Sequence, residues 1–317
     1  MSRYILGRAA QAVVVLWAAY TLTFVVLYLL PSDPVALQLG AAGIETDKLD
    51  PAQLQAAMAR YGLDRPVLEQ YFSSLWGALH GDLGTSIAKQ RPVTELIGER
   101  IGSTLALSAL AGTLSIVGGT TLAYLASYVR WRPARILLSR LPSVGASFPQ
   151  FFIGLVLIQL FAFSLGWLPA TGTEGFASLV LPAVTISLLT SSLLAQVLMR
   201  SFDDTLRQPY IATARAKGLS RAQVQWKHAF RNAALPAMTI LGVLVGLTVT
   251  SAIVTETVFA RNGVGKLAQE SVVAQDVPVV LAIVALAAAL FVMVNLIVDL
   301  LYPLLDPRIV HVPKVSR

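Results

Sequence analysis

The sequence predicts an all-α polytopic membrane protein, and three observations carry that prediction. Hydrophobic residues make up 56% of the chain and charged residues only 13%, with mean hydropathy +0.69; a soluble domain carries roughly a quarter charged residues. Six apolar stretches are long enough to cross a hydrocarbon core of about 30 Å, which takes about 20 residues of helix. The basic residues concentrate in alternate loops, the pattern that sets orientation in a membrane. A β-barrel would instead show alternating segments of about ten residues. The chain has no cysteine, which excludes disulfides, thiolate catalysis and thiolate metal sites together.

The six stretches are 9–30, 101–128, 141–165, 179–199, 237–259 and 277–304. The first is too long for a signal-peptide core, and "LLPSDP" after it lacks a small-x-small cleavage pattern, so it reads as a retained first span. With the N-terminus inside, the inner segments hold Arg3 and Arg8, four residues from Arg130 to Arg140, seven from Arg200 to Arg231, and Arg308, Lys314 and Arg317. That is 16 of the 24 Lys and Arg, against Arg261 and Lys266 in the short outer loops. Segment 31–100 is too long to count in this rule. Both termini are expected in the cytoplasm. The basic pI of 9.8 follows from topology, with lipid as the surrounding partner and no nucleic acid required.

Three parts are expected: 1–30, a short tail and the first span; 31–100, an extracytoplasmic cap; and 101–317, a membrane core with a cytoplasmic loop at 200–236 and a cytoplasmic tail. In the cap, "DPAQ" at Asp50–Gln53 offers an N-cap, a proline at the first helical position and a capping-box glutamine. That helix should stop near Gly62. A second should run from Pro66 to His80, end at Gly81 and lead into "GDLGTS", Gly81 to Ser86, where a turn needs positive φ.

The loop after Met199 reads as two helices with a glycine between them. The first starts near Pro209 and ends at Gly218, a good residue just past a helix C-terminus. Ser220 and Gln223 form the next capping box. Helical spacing puts Ala222, Trp226, Phe230 and Ala233 on one apolar seam, with Arg221, Gln225, His228 and Arg231 as a polar rim.

Catalytic patterns are missing. The histidines His80, His228 and His311 lie in separate segments, so neither a metal site nor a cofactor site is expected on this chain. "GVGKL" at Gly263–Leu267 departs from a phosphate loop at Leu267 and Ala260. Glu256 and Asp299 are the ionisable groups within spans; each is a functional candidate or an interfacial group wetted at a membrane edge. Gln159, Gln196 and Asn295 lie deeper and suit bonds between helices.

The 209–236 segment resembles the cytoplasmic "EAA" coupling loop of ABC-importer permeases. Ala212-Thr213-Ala214, Gly218 and Leu235-Pro236 stand at the matching positions, with Ala212 in place of the named glutamate. "TARAKGL", Thr213 to Leu219, is similar to the form in the dipeptide/oligopeptide/nickel subgroup, and so are blocks along nearly the whole chain. These are "LPSDPV", "YGLDRP", "GDLGTSI", "RPVTELIGERIGSTLALS", "LGWLPATG", "NGVGKLAQESVVAQDVPVV" and "VDLLYPLLDPRI". The long outer segment with "GDLGTS" resembles the B-type subunit of the pair.

The resemblance implies the type I ABC importer permease fold: six spans, an insertion after the first and a coupling-helix elbow between the fourth and fifth. It implies a non-catalytic subunit, with ATP and Mg bound by two cytoplasmic ATPase subunits, a second C-type permease beside it and an extracytoplasmic substrate-binding protein. Ala212, Thr213, Ala214, Arg215, Ala216, Lys217, Gly218 and Leu219 would then couple to the ATPase, the second helix closing at Leu235-Pro236. Gly81, Asp82, Leu83, Gly84, Thr85 and Ser86 would face the binding protein or the partner permease. Short peptides are the expected cargo, with a metal chelate, nickel or glutathione as the alternative. A secondary transporter would need mid-membrane carboxylates and repeated halves, which this sequence lacks.

Overall fold

A computed structural model of the chain describes residues 2–29, 40, 50–61 and 64–305. The described residues are almost entirely helical. In chain order they form α1 (Ser2–Leu29), α2 (Pro51–Tyr61), α3 (Val67–Leu79), α4 (Val93–Tyr128), α5 (Arg132–Ser147), α6 (Gln150–Ser164), α7 (Ala177–Leu206), α8 (Pro209–Ala216), α9 (Arg221–Val258), α10 (Val264–Val273) and α11 (Val277–Leu305). Five of these, α1, α4, α7, α9 and α11, are long and apolar enough to cross a membrane, and the bent pair α5–α6 makes six if it is one span.

The third apolar stretch differs from its expected form. In place of a helix over 141–165, α5 and α6 meet at a 103° bend. The break sits at Phe148, whose backbone is extended (φ −96°, ψ 139°) ahead of Pro149. A residue before proline is driven out of the helical region by the proline ring. Proline alone does not decide the matter, because Pro142, Pro182 and Pro236 lie inside helices.

The chain divides into two compact units. One comprises Leu105–Arg261 with the chain from Met293, and its central helix is α7, which packs on α5, α6 and α9. Buried small and hydroxyl residues let these helices approach. A Cβ on Gly119 would lie 2.8 Å from the Ser191 carbonyl, so only glycine fits there. Ser115 of α4 meets Thr190 of α7 in a buried hydroxyl pair. Gln196 donates to the Pro142 carbonyl at 3.4 Å and Asn295 lies against Gly242, as expected of bonding or packing groups between helices, whereas Gln159 is exposed.

The second unit comprises Ser2–Thr104 and Asn262–Val292. Its two cores are Val93, Leu96 and Ile97 of α4 against Val264, Leu267, Val279 and Ile283, and Tyr20 and Phe24 of α1 against Leu281, Tyr71 and Leu75. The expected helix at Pro66–His80 is α3, capped by those two residues. Of the expected "DPAQ" start, Gln53 accepts from the Asp50 backbone N–H at 3.2 Å. The expected stop at Gly62, the "LPSDPV" block and the C-terminal tail lie outside the described residues, as do the side chains of the last turns of α11, including Asp299.

Candidate functional site

Two turns meet the residues singled out in the sequence, one in each unit. The first is the elbow. Pro209 opens α8 at a position where its missing N–H costs nothing. Ile211 and Ala214 face inward and pack with Phe202, Leu206, Val224 and Ala229. Ala212, Thr213, Arg215, Ala216 and Lys217 are exposed, as is Gly218, and Leu219 is half-buried. Thus Ala214 belongs to the chain's own core, while its neighbours form an outward face.

The helix stops at Gly218, which adopts φ +78° with its N–H on the Arg215 carbonyl at 3.0 Å. No atom lies within 4 Å of where a Cβ would stand, so the demand for glycine is one of backbone angle and not of space. The expected capping box is complete: Ser220 Oγ accepts from Gln223 N at 3.3 Å, and Gln223 Oε1 accepts from Ser220 N at 3.0 Å.

Beyond the box the expectation needs correction twice. First, residues Val224–Ala229 form a π-helical segment. Val224 and Ala229, five apart, therefore share a face that would diverge by about 140° in an α-helix. The buried stripe runs Val224, Gln225, Ala229, Ala233, Ala237, while Trp226 of the expected seam is 58% exposed and Ala222 is exposed. Second, the helix does not close at Leu235-Pro236; it continues through Pro236 to Val258.

The polar rim has partners that the sequence did not indicate. Arg221 donates to the Ser127 carbonyl at 2.9 Å, satisfying an orphan group at the end of α4, and Gln225 donates to the Tyr124 carbonyl at 3.1 Å, just inside that end. Arg221 also lies 5.4 Å over the Tyr128 ring. Tyr210 accepts from Asn232 at 2.8 Å, tying α8 to α9. An open cleft of about 340 Å³ at the base of the elbow is lined by Gln196, Val197, Arg200, Ser201, Asp204 and Pro236.

The second turn follows α3. Gly81 (φ +84°) ends that helix, with Asp82 N reaching back to the Gly77 carbonyl at 2.9 Å, and Gly84 (φ +76°) completes the reversal, its N–H on the Asp82 carboxylate at 2.9 Å. Gly81, Asp82, Gly84 and Thr85 are exposed, Leu83 is half-buried and Ser86 is buried. The Ser86 hydroxyl donates to the Asp276 carboxylate, which also accepts from Ile87 N at 3.2 Å and Ala88 N at 3.3 Å. Asp276 is held there by the end of α10: Gln275 takes φ +55° and Asp276 N bonds the Ser271 carbonyl at 2.8 Å.

Beside it, Glu270 accepts from Lys89 at 2.7 Å and Arg100 at 3.2 Å. Burial raises the Glu270 pKa, but the two cations together outweigh it and hold the carboxyl below its ordinary value.

Glu256 departs from the wetted reading: it is fully buried in protein, as is Arg261. Arg261 donates to the carbonyls of Gly172 and Ser178 at 3.2 and 2.9 Å. Burial lowers the guanidinium pKa, and the Glu256 carboxylate opposes that shift. Among the described residues no three His, Cys, Asp or Glu side chains gather as a metal site would require.

Residues 115–311 match the family described as binding-protein-dependent transport system inner membrane component, and residues 1–108 match its N-terminal companion family. The chain belongs to this family of transport permeases. A chain of Brucella abortus (strain 2308) named as a peptide transport system permease is 34% identical across 98% of this chain and 99% of that one. The glutathione transport system permease protein GsiC of Salmonella choleraesuis is 37% identical with the same shares. Among solved structures, the inward-facing MetNI methionine ABC transporter superposes at TM-score 0.56 over 67% of this permease and 96% of that chain, at 16% identity. That likeness speaks to the fold alone. The permease is a multi-pass inner-membrane component, and its family membership implies a partner permease, ATPase subunits and a substrate-binding protein.

Proposed function

We propose that this permease forms half of the translocation pathway of an ATP-driven importer of short peptides. Support for the cargo comes from full-length relatives named for peptide transport. Counted with α5–α6 as one span, six helices would cross the membrane, with both termini and the elbow in the cytoplasm. The chain would carry out no chemistry; ATP and Mg would be bound by two ATPase subunits docked on the elbow. The observation that carries the coupling role is the exposed face of α8 with Arg215 and, just past it, Lys217, set on a base that the chain's own core holds in place.

The turn at Gly81–Ser86 would face the binding protein or the C-type partner permease. Glutathione is the second reading, favoured by the GsiC relatives and chemically close, since it is itself a tripeptide. Purifying the cognate binding protein from its own cells and identifying the bound ligand by mass spectrometry tests the cargo. Short peptides are expected. Glutathione alone would select the second reading, and a metal chelate or a sugar would overturn both while leaving the transport role in place.

A further inference from the structure

Helix α3 has three faces, and one of them lacks cover among the described residues. At 100° per residue, Tyr71, Leu75 and Ala78 form the inner face, packed with Tyr20, Phe24 and Leu27 of α1. Glu69, Gln70, Ser73, Gly77 and His80 form a polar arc. Between these arcs runs a stripe of Leu68, Phe72, Trp76 and Leu79, which are 72%, 64%, 67% and 73% exposed. Four large apolar side chains in one row on an exposed helix need an explanation beyond ordinary surface scatter.

The position of α1 supplies it. The apolar window of α1 is Ala10–Leu27, and only 11% of it is buried. The residues that grip α3 are Tyr20, Thr21, Phe24 and Leu27, all inside that window; Thr21 bonds the Tyr71 hydroxyl at 2.7 Å, and the Phe24 ring meets the Tyr71 ring edge-on at 5.2 Å. At 1.5 Å per residue, Tyr20 lies about 10 Å from the end of the window. A helix bound to this stretch therefore sits within about 10 Å of the membrane boundary, the depth at which amphipathic helices rest in the headgroup and acyl region. On α1 itself, Leu22, Val25 and Val26 of the same stretch are also apolar and exposed. Trp76, its ring 4.4 Å from that of His80 at a tilt of 44°, places an amphipathic ring next to the polar arc, as aromatic residues do at membrane interfaces.

We infer that α3 is an interfacial anchor whose Leu68, Phe72, Trp76 and Leu79 are solvated by lipid acyl chains, so that the turn at Gly81 starts from the membrane surface. On the orientation proposed above this is the outer leaflet; the lipid contact itself requires only that α1 spans the bilayer.

Because the chain has no cysteine, single variants report without background. Nitroxide labels on L68C, F72C, L79C and, on the polar arc, S73C would be read in the complex purified from its own cells and reconstituted in phosphatidylethanolamine–phosphatidylglycerol vesicles. At the three stripe positions oxygen should broaden the spectrum several-fold more than a water-soluble nickel complex does, and at S73C the order should reverse. The stripe side chains contribute little internal packing, so the unfolding temperature should match wild type. Nickel access at the stripe equal to that at S73C would overturn the proposal in favour of a water-facing helix. Exclusion of both reagents at the stripe would overturn it in favour of a protein partner.

Discussion

The elbow at 209–237 and the turn at 81–92 use one local device to opposite ends. Both reverse the chain at glycines with φ near +80°, Gly218 in one and Gly81 and Gly84 in the other. In the elbow Arg215, Ala216 and Lys217 just before the glycine stay exposed, and the turn itself is closed locally by the Ser220/Gln223 capping box, while Arg221 and Gln225 fix the helix that follows to α4. In the 81–92 turn the residues after the glycines are drawn inward, and a distant buried carboxylate, Asp276, gathers Ser86, Ile87 and Ala88. A locally built turn leaves a face free for a partner. A turn built on a long-range acceptor becomes a strut.

The sharpest way to break the comparison is to remove that acceptor. Asp276→Ala leaves three donors without their acceptor in a buried site, a loss of about 2–4 kcal/mol. A lower unfolding temperature in detergent and faster tryptic cleavage after Lys89 are expected, while the elbow keeps its ATPase. Wild-type protease resistance would mean that Asp276 does not hold the turn.

A smaller effect is expected at Gly218, where the surroundings are open and only the backbone objects. Gly218→Val should add strain of about 1–2 kcal/mol in the left-handed region. The complex should still assemble, with substrate-stimulated ATP hydrolysis reduced. Undiminished stimulation would count against a rigid elbow.

The smallest effect is a pH dependence confined to the unit that holds the 81–92 turn. The folded pKa of Glu270 is lowered, with the pull of Lys89 and Arg100 exceeding the opposing effect of burial. Its contribution is therefore present above the ordinary carboxylate range and is lost as pH falls through the folded value. Unfolding midpoints measured from pH 7 downward should fall in wild type by more than in Glu270→Gln, which lacks the titrating group. Parallel slopes would remove Glu270 from the account.

What the sequence disclosed follows from how local each feature is. Gly218 and the Ser220/Gln223 box were legible because their partners lie within three residues. The π segment was not, since nothing in "VQWKHA" separates it from an α-helix; its signature is the pairing of Val224 with Ala229, visible only once the core is known. Asp276 and Ser86 lie 190 residues apart, and Gln275 takes a left-handed conformation without a glycine to announce it. The bend after Ser147 did have a signal, Pro149, but three other prolines sit within helices, so the residue type alone was ambiguous. Glu256 was visible as a charge at a helix end; its burial required Arg261, five residues on, to fold back beside it.

The claim at the centre is that the exposed face of α8 is the ATPase dock. Ala216 is exposed on that face and Ala214 lies beneath it. The direct measurement is co-purification of the ATPase subunits with an Ala216→Glu permease, alongside its unfolding temperature. An unchanged unfolding temperature with the ATPase lost is the predicted result; ATPase recovered in wild-type amount, with full substrate-stimulated hydrolysis, would contradict it.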